Sequence, residues 1–334
     1  MSSLRAASVT RWDAVVSILV FGAAGFVAQP LVRCIASEQQ HGTLILADQR
    51  DVPVGLCAWL SACGSEYVVH RTNSLRTLTR APGTDEISVA VVLAGQTDVD
   101  EALAHPARAF ERNIQIAIDA GEWLRANSRA RLIYLSSDEV LGESFIPLAE
   151  SAPYHPTQPY AASKAAAEIV LNGYRDSYGL HVVTVRSCNL VGGHQRARKL
   201  VPTAAAHLAA GKPVPLFGPG THSREWLAVE DLCEALALII GREDAVGVYH
   251  CGSGIHLTVL EVVGLVAEAL NTEPRCQRVQ DRLVHDRCYA MSCARVRELG
   301  WSPRLDVAES IRSAAVTLAA SMVADDVELA AERR

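Results

Sequence analysis

The chain is punctuated by short apolar runs rich in β-branched residues, and the first of them constrains the rest. Val15 to Phe21 reads VVSILVF and stops at Gly22. A continuous run of this length without polar alternation suits a strand covered on both faces. The residues that follow, Gly22-Ala23-Ala24-Gly25-Phe26-Val27-Ala28, form a G-x-x-G-x-x-A turn into a helical pattern. Glycines at such a turn let the backbone approach a pyrophosphate at a helix N-terminus. Leu44 lies in a second run, Thr43 to Ala47, that ends in Asp48, an acid about 20 residues beyond the turn. There a carboxylate accepts hydrogen bonds from an adenosine ribose and favours NAD over NADP, although Arg50 nearby would suit a 2′-phosphate.

Further runs at Tyr67 to Val69, Ser88 to Ala94, Arg131 to Leu135 and His181 to Val185 alternate with helical patterns over 101–126 and 159–178. Strands alternating with helices imply right-handed crossovers and a parallel sheet with helices on both faces. The expected fold is therefore α/β, a doubly wound parallel Rossmann sheet over residues 1–190. After about residue 190 longer loops with Gly and Pro predict a smaller, interleaved α/β C-terminal domain over 191–334, part of which returns to the sheet near Val248 to Cys251. Ligands of such sheets bind beyond the carboxyl ends of the strands, where Gly22, Asp48, Leu93-Ala94-Gly95 and Ser136 to Glu139 all fall.

Composition excludes several functions. At 334 residues, 49% hydrophobic and 20% charged, the chain is that of a globular enzyme. A net charge of −6 with no basic run provides no footprint for nucleic acid. Nine cysteines, with no C-x-x-C pair, fit neither a disulfide framework nor a zinc site, so we expect no metal and a reducing, cytoplasmic setting. The apolar stretch Ala14 to Val32 could be a signal or membrane span, but it carries GAAG at its centre and leads into a second strand, so no membrane association is expected. Lysine occurs only as Lys164, Lys199 and Lys212. Where arginine carries nearly all other positive charge, a lysine marks a place that needs a compact, rotatable ammonium.

The chemistry concentrates in RLIYLSSDEVLGESFIPLAESAPYHPTQPYAASK, residues 131–164. It delivers Ser137, Asp138 and Glu139 at a strand end, then Tyr160 and Lys164 four residues apart on one helix face. An ammonium beside a phenol favours the phenolate, lowering its pKa from about 10 toward neutrality and making a base for a sugar hydroxyl. A solvated strand-end turn is the bland reading of Asp138-Glu139. The surrounding motifs outweigh it.

GAAGFVA, SSDEV and YAASK together resemble the extended short-chain dehydrogenase/reductase superfamily. LAGQTDVDEAL at 93–103, SSDEVLG at 136–142, YHPTQPYAASKAAAE, KLVP at 199–202, GPGTHSREWLAVEDL at 218–232 and DRLVHDRCYA at 281–290 are similar, in order, to segments of the dTDP-glucose 4,6-dehydratase family. That resemblance implies a lyase that uses NAD and acts on a nucleoside-diphosphate sugar, working as a homodimer through helices near 105–126 and 159–178. Tyr160, with Ser137 and Lys164, would take the O4 proton while C4 hydride passes to NAD⁺; Glu139 would abstract the C5 proton, and protonated Asp138 would help the C6 hydroxyl leave. Hydride would then return to C6. The family also implies cofactor contacts by Gly22, Gly25, Phe26, Val27, Asp48, Leu93, Ala94, Gly95, Asn113, Ser136, Tyr160 and Lys164. Its substrate contacts fall on Thr97, Asn189, Lys199, Leu200, Phe217, Arg224, His285 and Tyr289. The chain departs from the family's pattern at Leu141, Asp98, Val284, Cys288 and the 190–193 loop, on the sugar-nucleotide side. A 4-epimerase, decarboxylase or 4-ketoreductase would need only the first redox step. An idle sugar-nucleotide-binding homologue would be expected to lack Tyr160, Lys164 or the acids.

Overall fold

The computed structural model describes residues 16–38, 41–80, 87–195 and 198–332. Six strands follow one another into a single sheet: β1 (Val16–Phe21), β2 (His41–Asp48), β3 (Tyr67–Arg71), β4 (Ile87–Val92), β5 (Arg131–Ser137) and β6 (His181–Ser187). Three strands then leave it, β7 (Asn189–Val191), β8 (Val214–Phe217) and β9 (Ser223–Ala228). β10 (Gly247–Cys251) returns as the seventh, and β11 (His256–Thr258) and β12 (Cys276–Val279) leave again. The order across the sheet is β10-β6-β5-β4-β1-β2-β3, with every neighbouring pair parallel. Strand order reverses between β1 and β4, which opens a crevice at their carboxyl ends.

Burial on both faces explains the unbroken apolar runs. Ile18, Val20, Leu44 and Leu46 pack against α1 (Ala28–Ser37) through Leu31 and Ile35, and against Leu232 and Leu236 of the helix Val229–Gly241. Their sequence neighbours Leu19, Ile45, Ala90 and Val92 face the opposite layer, whose Trp123 and Leu171 come from the helices Pro106–Ala126 and Pro159–Tyr178. The period of two thus puts alternate residues under different helices. In chain order the remaining helices give α2 (Val54–Ala62), α3 (Val99–Ala104), α4 (Pro106–Ala126), α5 (Pro159–Tyr178), α6 (Leu200–Ala209), α7 (Val229–Gly241), α8 (Val259–Ala269), α9 (Ala294–Glu298) and α10 (Val307–Glu332).

The single helix expected over 101–126 is two. α3 stops before His105, whose backbone sits at φ −135, ψ 64, and α4 starts at Pro106. A proline ring disfavours helical geometry in the residue before it, which breaks the run there. The apolar stretch proposed as a possible span forms β1, the turn and the start of α1, with Val15 and Ala14 outside the described residues. No helix among the described residues is long and apolar enough to cross a membrane. Beyond β6 a second core gathers Val201, Ala204 and Leu208 of α6, Val262 and Val266 of α8 and Ile311 and Leu318 of α10 under the small sheet β11-β9-β7.

α5 is held to the sheet by a buried ion pair. Arg186 on β6 reaches Glu168 on α5 at 2.8 Å with both side chains almost wholly inaccessible, and the Tyr154 hydroxyl donates to Glu168 at 3.0 Å. Removing one member leaves the other charge without a partner in a low-dielectric site. Glu168→Ala is expected to cost about 3–5 kcal/mol, and Glu168→Leu combined with Arg186→Met to recover most of it. Urea midpoints of the two variants check this.

Candidate active site

The crevice at the carboxyl end of the sheet widens into a cleft of about 1110 Å³ shared by the Rossmann half and the later loops. At one end the β1–α1 turn lies against the loop after β4. Gly22 has φ +97, and a Cβ there would lie 2.6 Å from the Ala94 backbone nitrogen, so no other residue serves. α1 begins without a side-chain cap and without acids in its first turn, leaving its N-terminal amides to an anion. Asp48 ends β2 and accepts hydrogen bonds from the backbone N–H groups of Ala24 at 3.0 Å and Arg50 at 2.9 Å. The same carboxylate draws the Arg50 guanidinium to 3.3 Å, folding back the group that would have suited a 2′-phosphate. Phe26, Val27, Leu93, Gly95 and Ser136 complete this wall, and the buried Ser136 hydroxyl has no hydrogen-bond partner among the described residues. An elongated groove with an open helix N-terminus at one point and an acid at the next strand end fits a dinucleotide.

Asn113, expected among the cofactor contacts, lies behind that wall and not on it. It is buried on α4 behind the loop, donating to the Gln96 carbonyl at 3.1 Å and to Ser163 at 2.8 Å while accepting from the Gln96 N–H at 2.8 Å. Both amide hydrogens are committed to the protein, so the residue braces the loop after β4.

Ser137, Asp138, Glu139, Tyr160 and Lys164 meet at the middle of the cleft. Ser137 ends β5 and caps a one-turn 3₁₀ segment over Asp138–Leu141, its hydroxyl accepting from the Glu139 N–H and donating to Asp138 Oδ1 at 3.1 Å. Asp138 is buried, and its Oδ2 has no hydrogen-bond partner among the described residues. Burial, joined by the charges of Glu139 and Glu225, pushes its carboxyl well above the usual range. Glu139 is also raised by burial, but Arg224, Lys199 and the Gln158 amide pull it back toward the ionised form. Both carboxyls are thus raised, but only Glu139 has Lys199 and the Gln158 amide opposing the rise.

The expected depression of the Tyr160 pKa by Lys164 is not found. Burial and the neighbouring Glu139 charge carry the phenol well above its ordinary value, with the Ser137 hydroxyl pulling the other way. Lys164 spends its ammonium elsewhere, donating to the Leu135 carbonyl at 2.7 Å and the Tyr134 hydroxyl at 2.9 Å. Burial lowers its own pKa to about 7. In so dry a pocket desolvation opposes phenolate and ammonium alike.

The expected substrate residues line the far end: Thr97, Asn189, Lys199, Leu200, Phe217, Arg224, His285 and Tyr289. Lys199 donates to the Thr97 carbonyl at 2.6 Å, bridging the two halves. The Arg224 guanidinium lies 4.7 Å above the Tyr289 ring, whose hydroxyl donates to Asp286 at 2.7 Å. Arg282 covers Phe217 at 4.8 Å and reaches across to Asp100 at 2.6 Å. Lys199, Arg224 and Arg282 give this end a positive field suited to a diphosphate. His222, Asp281 and His285 have candidate ligand atoms within 4.8 Å of one another. The two imidazoles, however, stack at 3.6 Å with planes 14° apart, so their in-plane lone pairs run side by side instead of converging on a cation. Asp281 accepts or shares a proton at His285 Nδ1, 2.7 Å away, and orients that ring.

The NAD dependent epimerase/dehydratase family model matches residues 18–252. The chain belongs to this family. It is 30% identical over 296 residues to the low-salt glycan biosynthesis protein Agl12 of Haloferax volcanii, covering 86% of this chain and 93% of that one. It is 36% identical over 232 residues to a dTDP-glucose 4,6-dehydratase of Streptomyces antibioticus, covering 68% of each. The fold matches the crystal structure of DesIV, a dTDP-glucose 4,6-dehydratase from Streptomyces venezuelae with NAD bound, at TM-score 0.84 and 28% identity, covering 90% of this chain and 96% of that one. The protein is therefore an NAD-dependent enzyme of the nucleotide-sugar dehydratase/epimerase superfamily, as the sequence motifs implied.

Tyr134, Gln158, His222, Glu225 and Arg282 escaped the sequence reading of this family member. Gln158 could have been found, because a polar residue directly before Pro159-Tyr160 stands at a helix N-cap. The others act from separate strands and loops with no local pattern.

Asp138 also affects stability. Its folded-state pKa is raised, so wild type is destabilised as pH rises from about 4, the unfolded value, through the folded value. Asp138→Asn is expected to lie close to wild type near pH 4 and to exceed it by a margin that grows toward pH 8. Urea unfolding at the two pH values measures the difference.

Proposed function

We propose that the protein is a 4,6-dehydratase that converts a nucleoside-diphosphate hexose, dTDP-glucose-like, into the 4-keto-6-deoxy sugar nucleotide. The observation that carries this reading is the split pair: Asp138, dry and pushed well above the usual carboxylate range, beside Glu139, whose rise is opposed by Arg224, Lys199 and the Gln158 amide, both in a cleft with Tyr160. Oxidation at C4 alone needs no second carboxyl. Elimination across C5 and C6 needs a base and an acid at the same moment, and adjacent carboxyls in unlike environments supply both.

Gly22, Gly25, the α1 N-terminus and Asp48 would hold NAD, which supplies a hydride acceptor for C4 and a donor for C6. Tyr160 receives the O4 proton, the step for which its phenol must ionise. Ser137 holds the developing carbonyl by hydrogen bonding, and Lys164 fixes the strand end against which Tyr160 sits. With C4 a ketone, the C5 proton is acidic. Glu139 takes it while Asp138 gives its proton to the C6 hydroxyl, which leaves as water. The C5 proton is later returned by Glu139 as C6 is reduced, and the O4 proton taken by Tyr160 makes good the one that Asp138 gave up, so the net change is loss of one water. Arg224 and Lys199 anchor the diphosphate. Leu190 shapes the sugar end.

Nucleoside-diphosphate hexoses carrying deuterium at C4 test the assignment by mass. Loss of one water with the label at C6 is the expected result; conversion without water loss would make the protein an epimerase. In Glu139→Gln, dehydration is expected to fall by about 10²–10⁴-fold, while reduced cofactor, seen by its absorbance, still forms on mixing with substrate. Full dehydration by that variant sinks the assignment of the base.

A further inference from the structure

We propose that Gln158 is a positioning residue for C5 proton abstraction: its carboxamide joins the backbone of Tyr160 to the carboxylate of Glu139, setting both groups with one side chain. This rests on the dehydratase reading of the site. Gln158 is buried at the entrance to α5, with Oε1 accepting the Tyr160 N–H at 2.7 Å and Nε2 donating to Glu139 Oε2 at 2.6 Å.

The orientation of the amide follows from its partners. A backbone N–H can only donate, so the atom facing Tyr160 is the oxygen, and the atom facing Glu139 is the nitrogen. An NH₂ group offers no acceptor, so Glu139 Oε2 cannot hold its proton in this contact. The bond favours the carboxylate, the stronger acceptor, and commits Oε2 to the protein. Oε1 makes no hydrogen bond within the described residues and is left to meet the substrate. The same amide caps α5, the helix that carries Tyr160 and Lys164. Base and redox phenol are thus referenced to one rigid group, the kind of fixed geometry a proton transfer needs.

A purely structural cap would behave differently from this, and Gln158→Glu separates the two roles. The carboxylate keeps an oxygen for the Tyr160 N–H, so the cap survives, but it sets a like charge where the NH₂ stood. Loss of the donor and repulsion both raise the Glu139 pKa. The acid limb of the kcat profile is expected to move up by about one pH unit or more, giving a tenfold or larger loss on the acid side of the limb that closes on its alkaline side. Gln158→Ser, which caps without reaching Glu139, should move the limb in the same direction by less. An unmoved limb in both variants overturns the proposal.

The contact is also readable without turnover. With ¹³C-carboxyl glutamate, the Glu139 resonance, assigned by its loss in Glu139→Gln, should titrate at higher pH in Gln158→Glu than in wild type; an unchanged titration overturns the proposal. Wild type that loses no water from any nucleoside-diphosphate hexose overturns the dehydratase reading instead, and the carboxyl titration then still reports on the Gln158 contact alone.

Discussion

A single buried side chain, that of Lys164, ties α5 to the sheet. Lys164 donates to the Leu135 carbonyl and to the Tyr134 hydroxyl, both on β5, from a side chain one turn along α5 from Tyr160. Because β5 runs directly into Ser137, Asp138 and Glu139, this contact sets the distance between the phenol and the two carboxyls. A guanidinium is too broad and too rigid to bond a carbonyl and a hydroxyl on adjacent residues in so confined a space. The site therefore uses one of three lysines in a chain that otherwise meets its need for positive charge with arginine. Arg186 and Glu168 repeat the device one turn further along, pinning α5 to β6.

Dryness is the second thread. Desolvation raises Asp138, raises Glu139, raises Tyr160 and lowers Lys164. In all four groups burial opposes the charged form, and the asymmetry of their neighbours decides how far each is opposed. Arg224 acts on both carboxyls; Glu139 receives the asymmetry from Lys199 and Gln158, whereas Asp138 faces further negative charge from Glu225. Proton transfers inside such a pocket respond strongly to charges brought in by ligands, because little water is present to screen them.

The elements that could be read from the chain were those with local signals. α5 begins at Pro159 and ends before Gly179 in left-handed geometry, and the helical pattern over 159–178 matched it residue for residue. The β-branched runs gave every strand of the large sheet up to β6, since burial on both faces leaves a plain apolar signature. The helix over 101–126 was misjudged at His105 because periodicity outweighed the proline after it. The brace that Asn113 forms behind the loop after β4 has no local signal, because its partners Gln96 and Ser163 lie on other elements. The phenol's environment was misjudged for a different reason: spacing along a helix shows that two side chains share a face, but not where an ammonium points.

Sequence alone determined the alternation of strands and helices, the glycine turn and the presence of two adjacent acids, a phenol and an ammonium, because each is a property of neighbouring residues. Motif order along the chain determined the family for the same reason. Tertiary structure decided how those groups differ. How Arg224 from β9 acts on Glu139, and which carboxyl receives the amide of Gln158, depend on segments up to 85 residues apart that only the folded sheet brings together. Electrostatic selection is a sum over neighbours in space, and the chain order does not contain that sum.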